Sequence, residues 1–198
     1  MDKEILRKLL IQERPVGEAL YEPVEELKDW RVHRKDCPAR LKYIINNLQG
    51  ETVLDIGCAE GYFTRELARI GYRVTAIDMK PNLISVVNLL CQGLDVSTDV
   101  GEWEELVKGM GNFDNILFLS IFHNDVKRVK IEGALSKLHA LRGKCNKLFI
   151  EVPSAIKERS GLDALDFRTP ASRTRLEQAV GMSIVGSVNF YRTIFICT

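Results

Sequence analysis

Residues 52–63 read TVLDIGCAEGYF, and this stretch decides the fold of the chain. An apolar run with one carboxylate, Asp55, inside it predicts a buried strand. Gly57 and Gly61 follow and predict a tight turn, and an apolar stripe at helical spacing begins at Phe63. At such a corner, backbone N–H groups without helical partners can bind the acceptor atoms of a ligand. The sequence therefore predicts a nucleotide-binding corner, with a corner that binds no ligand as the alternative.

The glycine spacing narrows the choice of ligand. A nicotinamide-binding fingerprint follows GxGxxG, whereas this turn has Gly57, Ala59 and Gly61 at alternate positions, with Asp55 two residues before the first glycine. The arrangement resembles the first motif of class I S-adenosylmethionine-dependent methyltransferases, in which an acidic residue precedes three alternating glycines. Ala59 replaces the middle glycine, and because alanine disfavours a positive φ, this departure bears on the geometry of the loop.

A second carboxylate, Asp78, ends the next predicted strand, residues 73–78. Its distance from Asp55 corresponds to one strand–helix–strand unit. The resemblance implies that Asp78 accepts hydrogen bonds from ribose hydroxyls, each contributing about 1.5–3 kcal/mol with a charged acceptor. It also implies an acidic group near the adenine amine. Asp99 is preferred for that place, and Asp95 stays the alternative because the choice depends on the strand register.

The resemblance implies S-adenosylmethionine as the cofactor and S-adenosylhomocysteine as the product. Met79 fits either against the adenine face or in simple packing beside a helix start. The residues implied for the cofactor site are Asp55, Gly57, Cys58, Ala59, Gly61, Tyr62, Phe63, Asp78, Met79, Asp99, Val100 and Ser120.

The fourth predicted strand, residues 113–120, delivers the tip 120–125 to the predicted site. His123 is placed there for general-base work on a hydroxyl, with Asn124 to orient the ring or the substrate; a lining role for His123 is equally open. The tip lacks the (Asp/Asn)-Pro-Pro-(Tyr/Phe) motif of amino-group methyltransferases and the cysteine nucleophile of enzymes that form 5-methylcytosine. Our predicted catalytic residues are His123 and Asn124.

The most basic run of the sequence is residues 31–42. A charged cluster at a helix start is commonly a solvated face. The alternative is a substrate clamp for phosphate or carboxylate, in which Arg31, Arg34 and Arg40 are the donors.

Composition supports a globular protein without a metal site. The 28 basic and 27 acidic residues give a formal net charge of +1, which supplies no bulk attraction for a polyanion. Five scattered cysteines without a C-x-x-C pair predict reduced thiols and no bound metal. No apolar run approaches 18 residues and no secretion signal begins the chain, so we expect no membrane span and a cytoplasmic location.

The order of the predicted elements places the chain in the α/β class. Residues 1–48 are predicted to form an N-terminal helical cap, because three apolar stripes there follow a helical spacing. The stripes lie at residues 5–10, 24–30 and 41–48, with a break at Pro15 and Gly17. Residues 49–198 alternate strands with helices and end in two strands. We expect one Rossmann-like three-layer methyltransferase domain there, with a mostly parallel seven-stranded sheet and a terminal antiparallel hairpin.

The sequence predicts methyl transfer to a hydroxyl of a small molecule or sugar. An RNA or tRNA methyltransferase is the alternative enzyme, supported only by the basic run 31–42. A catalytically silent relative that senses the cofactor or serves as a partner subunit is the alternative from another class. The oligomeric state is left open.

Overall fold

The computed structural model describes residues 3–13, 19–157, 164–190 and 192–198. Pro15 and Gly17, the predicted helix break, lie outside these ranges. The chain consists of two compact units, one ending at Trp103 and the other comprising Glu104–Thr198. The predicted boundary between residues 48 and 49 stays a prediction.

The first unit contains three parallel strands in the sheet order β3-β4-β5. Leu54 lies opposite Thr75 in this sheet, and Ala76 lies opposite Thr98. The two-residue strands β1 and β2 pair separately. The elements are α1 (Lys3–Glu13), β1 (Ala19–Leu20), a 3-10 helix (Glu25–Leu27), β2 (Arg31–Val32), α2 (Cys37–Ile45), β3 (Thr52–Ile56), α3 (Tyr62–Arg69), β4 (Arg73–Asp78), α4 (Pro81–Leu90) and β5 (Val96–Val100). Helix α5 (Trp103–Gly109) begins at Trp103, the last residue of this unit.

Helices α1 and α2 confirm two of the three predicted helical stretches of the N-terminal segment, whereas the middle stretch, 24–30, is not an α-helix. It forms the 3-10 helix Glu25–Leu27, and Trp30 follows in a turn. The three buried apolar residues of this stretch are spaced three apart, which is the period of a 3-10 helix and close enough to 3.6 to be mistaken for it. These residues are Val24, Leu27 and Trp30.

The second unit contains a four-stranded part of the sheet in the order β10-β11-β7-β6. β6 runs parallel to β7, β7 pairs with β11 antiparallel, and β11 pairs with β10 antiparallel. A separate antiparallel pair is formed by β8 and β9. The elements are β6 (Phe113–Leu119), α6 (Phe122–Lys137), a 3-10 helix (Leu138–Leu141), β7 (Cys145–Val152), β8 (Ala155–Lys157), β9 (Ala164–Asp166), α7 (Pro170–Val180), β10 (Ile184–Asn189) and β11 (Thr193–Cys197).

The predicted fold class is confirmed. Five strands, β3 to β7, alternate with helices along the chain, and the last two strands form the terminal antiparallel pair of a seven-stranded sheet. Continuous apolar runs produce this pattern, since strands covered on both faces need apolar residues at successive positions. In the described part of the chain, no helix has the length and apolarity needed to span a bilayer.

Candidate cofactor site

The loop between β3 and α3 has left-handed backbone at three alternate residues. The φ values are 69° at Gly57, 49° at Ala59 and 81° at Gly61. Ala59 therefore adopts the conformation expected of the glycine that it replaces, at the cost that a Cβ atom brings to a left-handed residue. The N–H groups of Gly57 and Cys58 both donate to the Ile77 carbonyl, at 2.7 and 3.2 Å, which fixes the loop against β4.

Gly61 lies at a crowded position. A Cβ atom there would lie 2.7 Å from Cγ2 of Val87 on α4, a closer approach than real Cβ atoms make. Gly61 is therefore required both by its φ and by the packing of α4 against the loop. Phe63, the second residue of α3, is buried, and Tyr62 is partly buried. Burial raises the pKa of the Cys58 thiol well above its ordinary value, so this thiol stays protonated.

Asp78 joins the end of β4 to the loop. Its Oδ2 accepts a hydrogen bond from the Ala59 N–H at 3.2 Å, and its Oδ1 accepts one from the Lys80 N–H at 3.0 Å. Burial raises the pKa of this carboxyl above its ordinary value, although both bonds oppose the shift. Each carboxylate oxygen has two acceptor sites, so both oxygens keep acceptor capacity beyond these bonds.

Asp55 faces the helix that follows the loop. It is buried, and the Thr64 hydroxyl of α3 donates a 2.7 Å hydrogen bond to its Oδ2. Burial raises its pKa to about 6, with the Thr64 bond opposing the rise. The acidic residue of the motif therefore fixes α3 to the end of β3.

The register of β5 places Asp99 and Asp95 at different positions relative to the carboxyl end of the strand. Asp95 precedes the strand, whereas Asp99 lies near its carboxyl end, and Val100 lies opposite Asp78. Oδ1 of Asp99 accepts a 2.8 Å bond from the N–H of Val100. Val100 is 42% exposed and Met79 is 53% exposed, which is unusual for apolar side chains beside strand ends. The carboxyl edge of β4 and β5 thus presents two carboxylates and two exposed apolar side chains.

Two glutamates that the sequence analysis did not single out link this loop to the N-terminal segment. The Glu60 carboxylate accepts the N–H of Tyr21 at 2.9 Å and the N–H of Glu22 at 3.2 Å. In return, the Glu22 carboxylate accepts the N–H of Tyr62, the first residue of α3, at 3.2 Å. The sequence offered one signal for Glu60, because an acidic residue inside a glycine turn is a candidate acceptor for backbone N–H groups. No pattern in the sequence around Glu22 indicates its bond to Tyr62, which lies 40 positions away.

The three arginines of the predicted clamp occupy different environments. Arg31 is exposed, whereas Arg34 and Arg40 are buried. The Arg34 guanidinium donates to both oxygens of Asp36, each at 2.9 Å, and Arg40 stacks 4.8 Å from the ring centroid of Phe63. The solvated-face interpretation of the basic run does not hold for these two side chains. A substrate role for the three arginines stays a prediction.

In the second unit, the carboxyl end of β6 carries the other predicted residues. Ser120 has a left-handed φ of 62°, and its buried hydroxyl donates to the buried carboxylate of Glu151. Asn124 and His123 lie in the first turn of α6. The Asn124 side-chain amide donates to the Ser120 carbonyl at 3.3 Å. It thereby holds the end of β6 against the start of α6.

His123 has a cationic neighbour that the sequence analysis missed. Nη1 of Arg192 lies 3.4 Å from Nδ1 of His123. A guanidinium can only donate, so as a hydrogen bond this contact requires an unprotonated Nδ1 and a hydrogen on Nε2 of the neutral ring. The residues are 69 positions apart in sequence, and no local pattern indicates the contact. The catalytic roles of His123 and Asn124 stay predictions.

Comparison with known proteins bears on the same loop. Residues 53–142 match a family model described as a methyltransferase domain. These residues are similar to a methyltransferase domain. The matched residues begin in β3 and include the glycine loop, Asp78 and Asp99.

Two proteins that are similar to the chain are ubiquinone biosynthesis O-methyltransferases. The protein from Xanthomonas euvesicatoria pv. vesicatoria (strain 85-10) is 36% identical over 92 residues, which are 44% of this chain and 38% of that protein. The protein from Nitrosococcus oceani is 35% identical over 112 residues, which are 54% of this chain and 48% of that protein. The chain thus spans less than half the length of these relatives.

Two solved structures resemble the chain in fold. The bifunctional kinase-methyltransferase WbdD superposes with a TM-score of 0.73 at 22% identity, over 98% of this chain and 46% of that chain. Magnesium protoporphyrin IX methyltransferase (ChlM) from Synechocystis PCC 6803 with bound SAM superposes with a TM-score of 0.60 at 16% identity, over 100% and 96%. At these identities the likeness shows a shared fold.

Proposed function

We propose that this chain binds S-adenosylmethionine and transfers its methyl group to a hydroxyl of a small molecule. The observation that carries the proposal is the bond from the Ala59 N–H to Asp78, which joins a left-handed glycine loop to a carboxylate at the end of β4. A carboxylate so held is oriented before a ligand arrives. Pre-organisation of this kind lowers the entropic cost of binding.

The residues present fit the proposed cofactor. The spare acceptor sites of Asp78 suit the two hydroxyls of a ribose. The exposed side chains of Met79 and Val100 suit the faces of an adenine ring, and Asp99 supplies an acceptor for its amine. When bound, S-adenosylmethionine supplies an electrophilic methyl group on a positively charged sulfur. Buried carboxylates beside the loop, Asp55 among them, favour a cationic ligand through Coulomb attraction.

The proposed acceptor is a hydroxyl group, and the names of both O-methyltransferase relatives support this choice. Transfer to a hydroxyl releases one proton. His123 is our proposed group for orienting the acceptor oxygen through its Nε2–H, or for taking up the proton at Nδ1 when Arg192 does not occupy that nitrogen. A general base contributes about 10²–10⁴-fold to a rate, whereas positioning of the two reactants contributes about 7–11 kcal/mol. Substitution of His123 by Ala therefore should slow turnover strongly and leave the affinity for S-adenosylmethionine unchanged.

RNA is the weaker alternative acceptor. Its support was the basic run 31–42, and burial removes Arg34 and Arg40 of that run from the surface on which a phosphate backbone would bind. No observation favours RNA over a small molecule.

The test is methyl transfer from labelled S-adenosylmethionine into separate panels of phenols, sugars, amines and transcribed RNA. We expect label in a phenol or sugar as an ether, and none in the analogue whose hydroxyl is already methylated. Label confined to amines or RNA would contradict the assignment of a hydroxyl. Tight binding of S-adenosylmethionine without transfer to any panel would favour a catalytically silent protein.

A further inference from the structure

Glu60 stands at the centre of an exchange of hydrogen bonds between the cofactor loop and the N-terminal segment. Its two carboxylate oxygens are divided between two backbone donors: Oε1 accepts from Tyr21 at 2.9 Å and Oε2 accepts from Glu22 at 3.2 Å. Oε2 of Glu22 then accepts the Tyr62 N–H at 3.2 Å. Three bonds thus connect residues that lie 38 to 40 positions apart in sequence.

The loop needs such an anchor because Ala59 is held in a left-handed conformation. A non-glycine residue in this region persists only where its surroundings determine the backbone from several sides. On one side of Glu60, the Ala59 N–H is bound by Asp78. Glu60 itself is only 1% exposed, so bulk solvent has little access to its side chain.

We infer that Glu60 is a positioning residue for the proposed cofactor site, and that residues 19–22 form a working part of that site through the bonds that they exchange with Glu60. The inference rests on the proposed function. The segment holds the loop in the conformation that presents the backbone N–H groups and Asp78. Loss of its contact with Glu60 therefore weakens binding of the cofactor, which Glu60 need not touch.

Glu60 and Glu22 differ in the number of carboxylate oxygens that accept these backbone hydrogen bonds. Glu60 accepts through both oxygens, so Glu60→Gln replaces one acceptor by an amide that faces a backbone N–H. Glu22 accepts from Tyr62 through one oxygen. Burial and the negative charges of Asp55 and Glu60 raise the pKa of Glu22 well above its ordinary value, which favours the neutral acid. The matched control is therefore Glu25→Gln, which makes the same chemical change at an exposed glutamate outside residues 19–22 and 57–62.

The experiment measures the dissociation constant of S-adenosylmethionine by calorimetry, the melting temperature, and backbone hydrogen exchange in residues 19–22 and 57–62. Glu60→Gln is expected to weaken binding about tenfold at a temperature where the variant is fully folded, and to speed exchange in both segments together. Glu25→Gln is expected to bind within twofold of the unsubstituted protein. A purely structural role would lower the melting temperature and leave the dissociation constant of the folded protein unchanged.

The inference is overturned if Glu60→Gln binds S-adenosylmethionine as tightly as the unsubstituted protein, or if exchange rises in residues 19–22 alone. Glu60→Asp provides a second variant if Glu60→Gln does not fold, since its shorter arm reaches fewer donors; binding within twofold would then overturn the inference. Failure of the unsubstituted protein to bind would overturn the proposed function. The exchange measurement without ligand still tests the coupling of the two segments in that case.

Discussion

Substitution of Gly61 by Ala tests how the loop is packed. The new Cβ would lie 2.7 Å from Cγ2 of Val87, and φ at this position is 81°. The left-handed φ costs alanine about 1 kcal/mol relative to glycine. Val87 is fully buried and β-branched, so it cannot rotate away, and overpacking adds about 1–3 kcal/mol. We expect Gly61→Ala to lower the free energy of unfolding by about 2–4 kcal/mol in urea denaturation.

Gly93 provides the matched control for this prediction. Its φ is 83°, but a Cβ there would have no heavy atom within 4 Å. Gly93→Ala therefore carries only the backbone cost of about 1 kcal/mol. In the Gly61→Ala background, Val87→Ala should destabilise less than it does alone, because it removes the clash. Equal losses for the two glycine substitutions, with additive effects of Val87→Ala, would refute the packing argument.

Three further predictions concern the same unit. Ala59→Gly relieves a left-handed alanine and should raise the free energy of unfolding by about 0.5–1 kcal/mol in urea, so a loss of stability would contradict the strain assigned to φ 49°. Arg40→Met removes the buried cation that lowers the pKa of Glu22 and Asp55, and it should cost about 3–5 kcal/mol. The exposed Arg31→Met should cost less than about 0.5 kcal/mol, and similar losses for both would argue against a buried charge network. Because the folded-state pKa of Asp55, about 6, exceeds its ordinary value of 3.8, its stabilising contribution is complete below about pH 3.8 and lost as pH rises through about 6. Between pH 7 and pH 5 the protein should therefore gain stability relative to Asp55→Asn, and parallel pH profiles would contradict this.

The sequence predicted features that depend on short stretches of chain. The strand, turn and helix at residues 52–63 follow from apolar periodicity and from the placement of the glycines, and these two signals lie within the same twelve residues. The position of Asp78 at the end of β4 was predicted because a strand–helix–strand unit has a characteristic length. The position of Asp99 near the carboxyl end of β5 needed only the register of one strand, which the structure supplies.

Features that join distant segments were not predictable from local patterns. The stretch 24–30 was predicted as an α-helix because a period of three resembles 3.6 over two turns. The burial of Arg34 depends on Asp36 and on the N-terminal segment around Tyr21, and composition cannot distinguish it from a solvated arginine. The bonds of Glu60 to residues almost forty positions earlier arise from tertiary packing alone.

The central claim is that the loop of residues 57–61 and the carboxylate of Asp78 bind S-adenosylmethionine. Calorimetric titration with S-adenosylmethionine and with S-adenosylhomocysteine tests it most directly, using the unsubstituted protein and Asp78→Asn. Each ribose hydrogen bond to a charged acceptor contributes about 1.5–3 kcal/mol, so Asp78→Asn should weaken binding by at least about tenfold. The account predicts saturable one-to-one binding by the unsubstituted protein and this loss in the variant. No binding of either compound, or equal binding by Asp78→Asn, would contradict it.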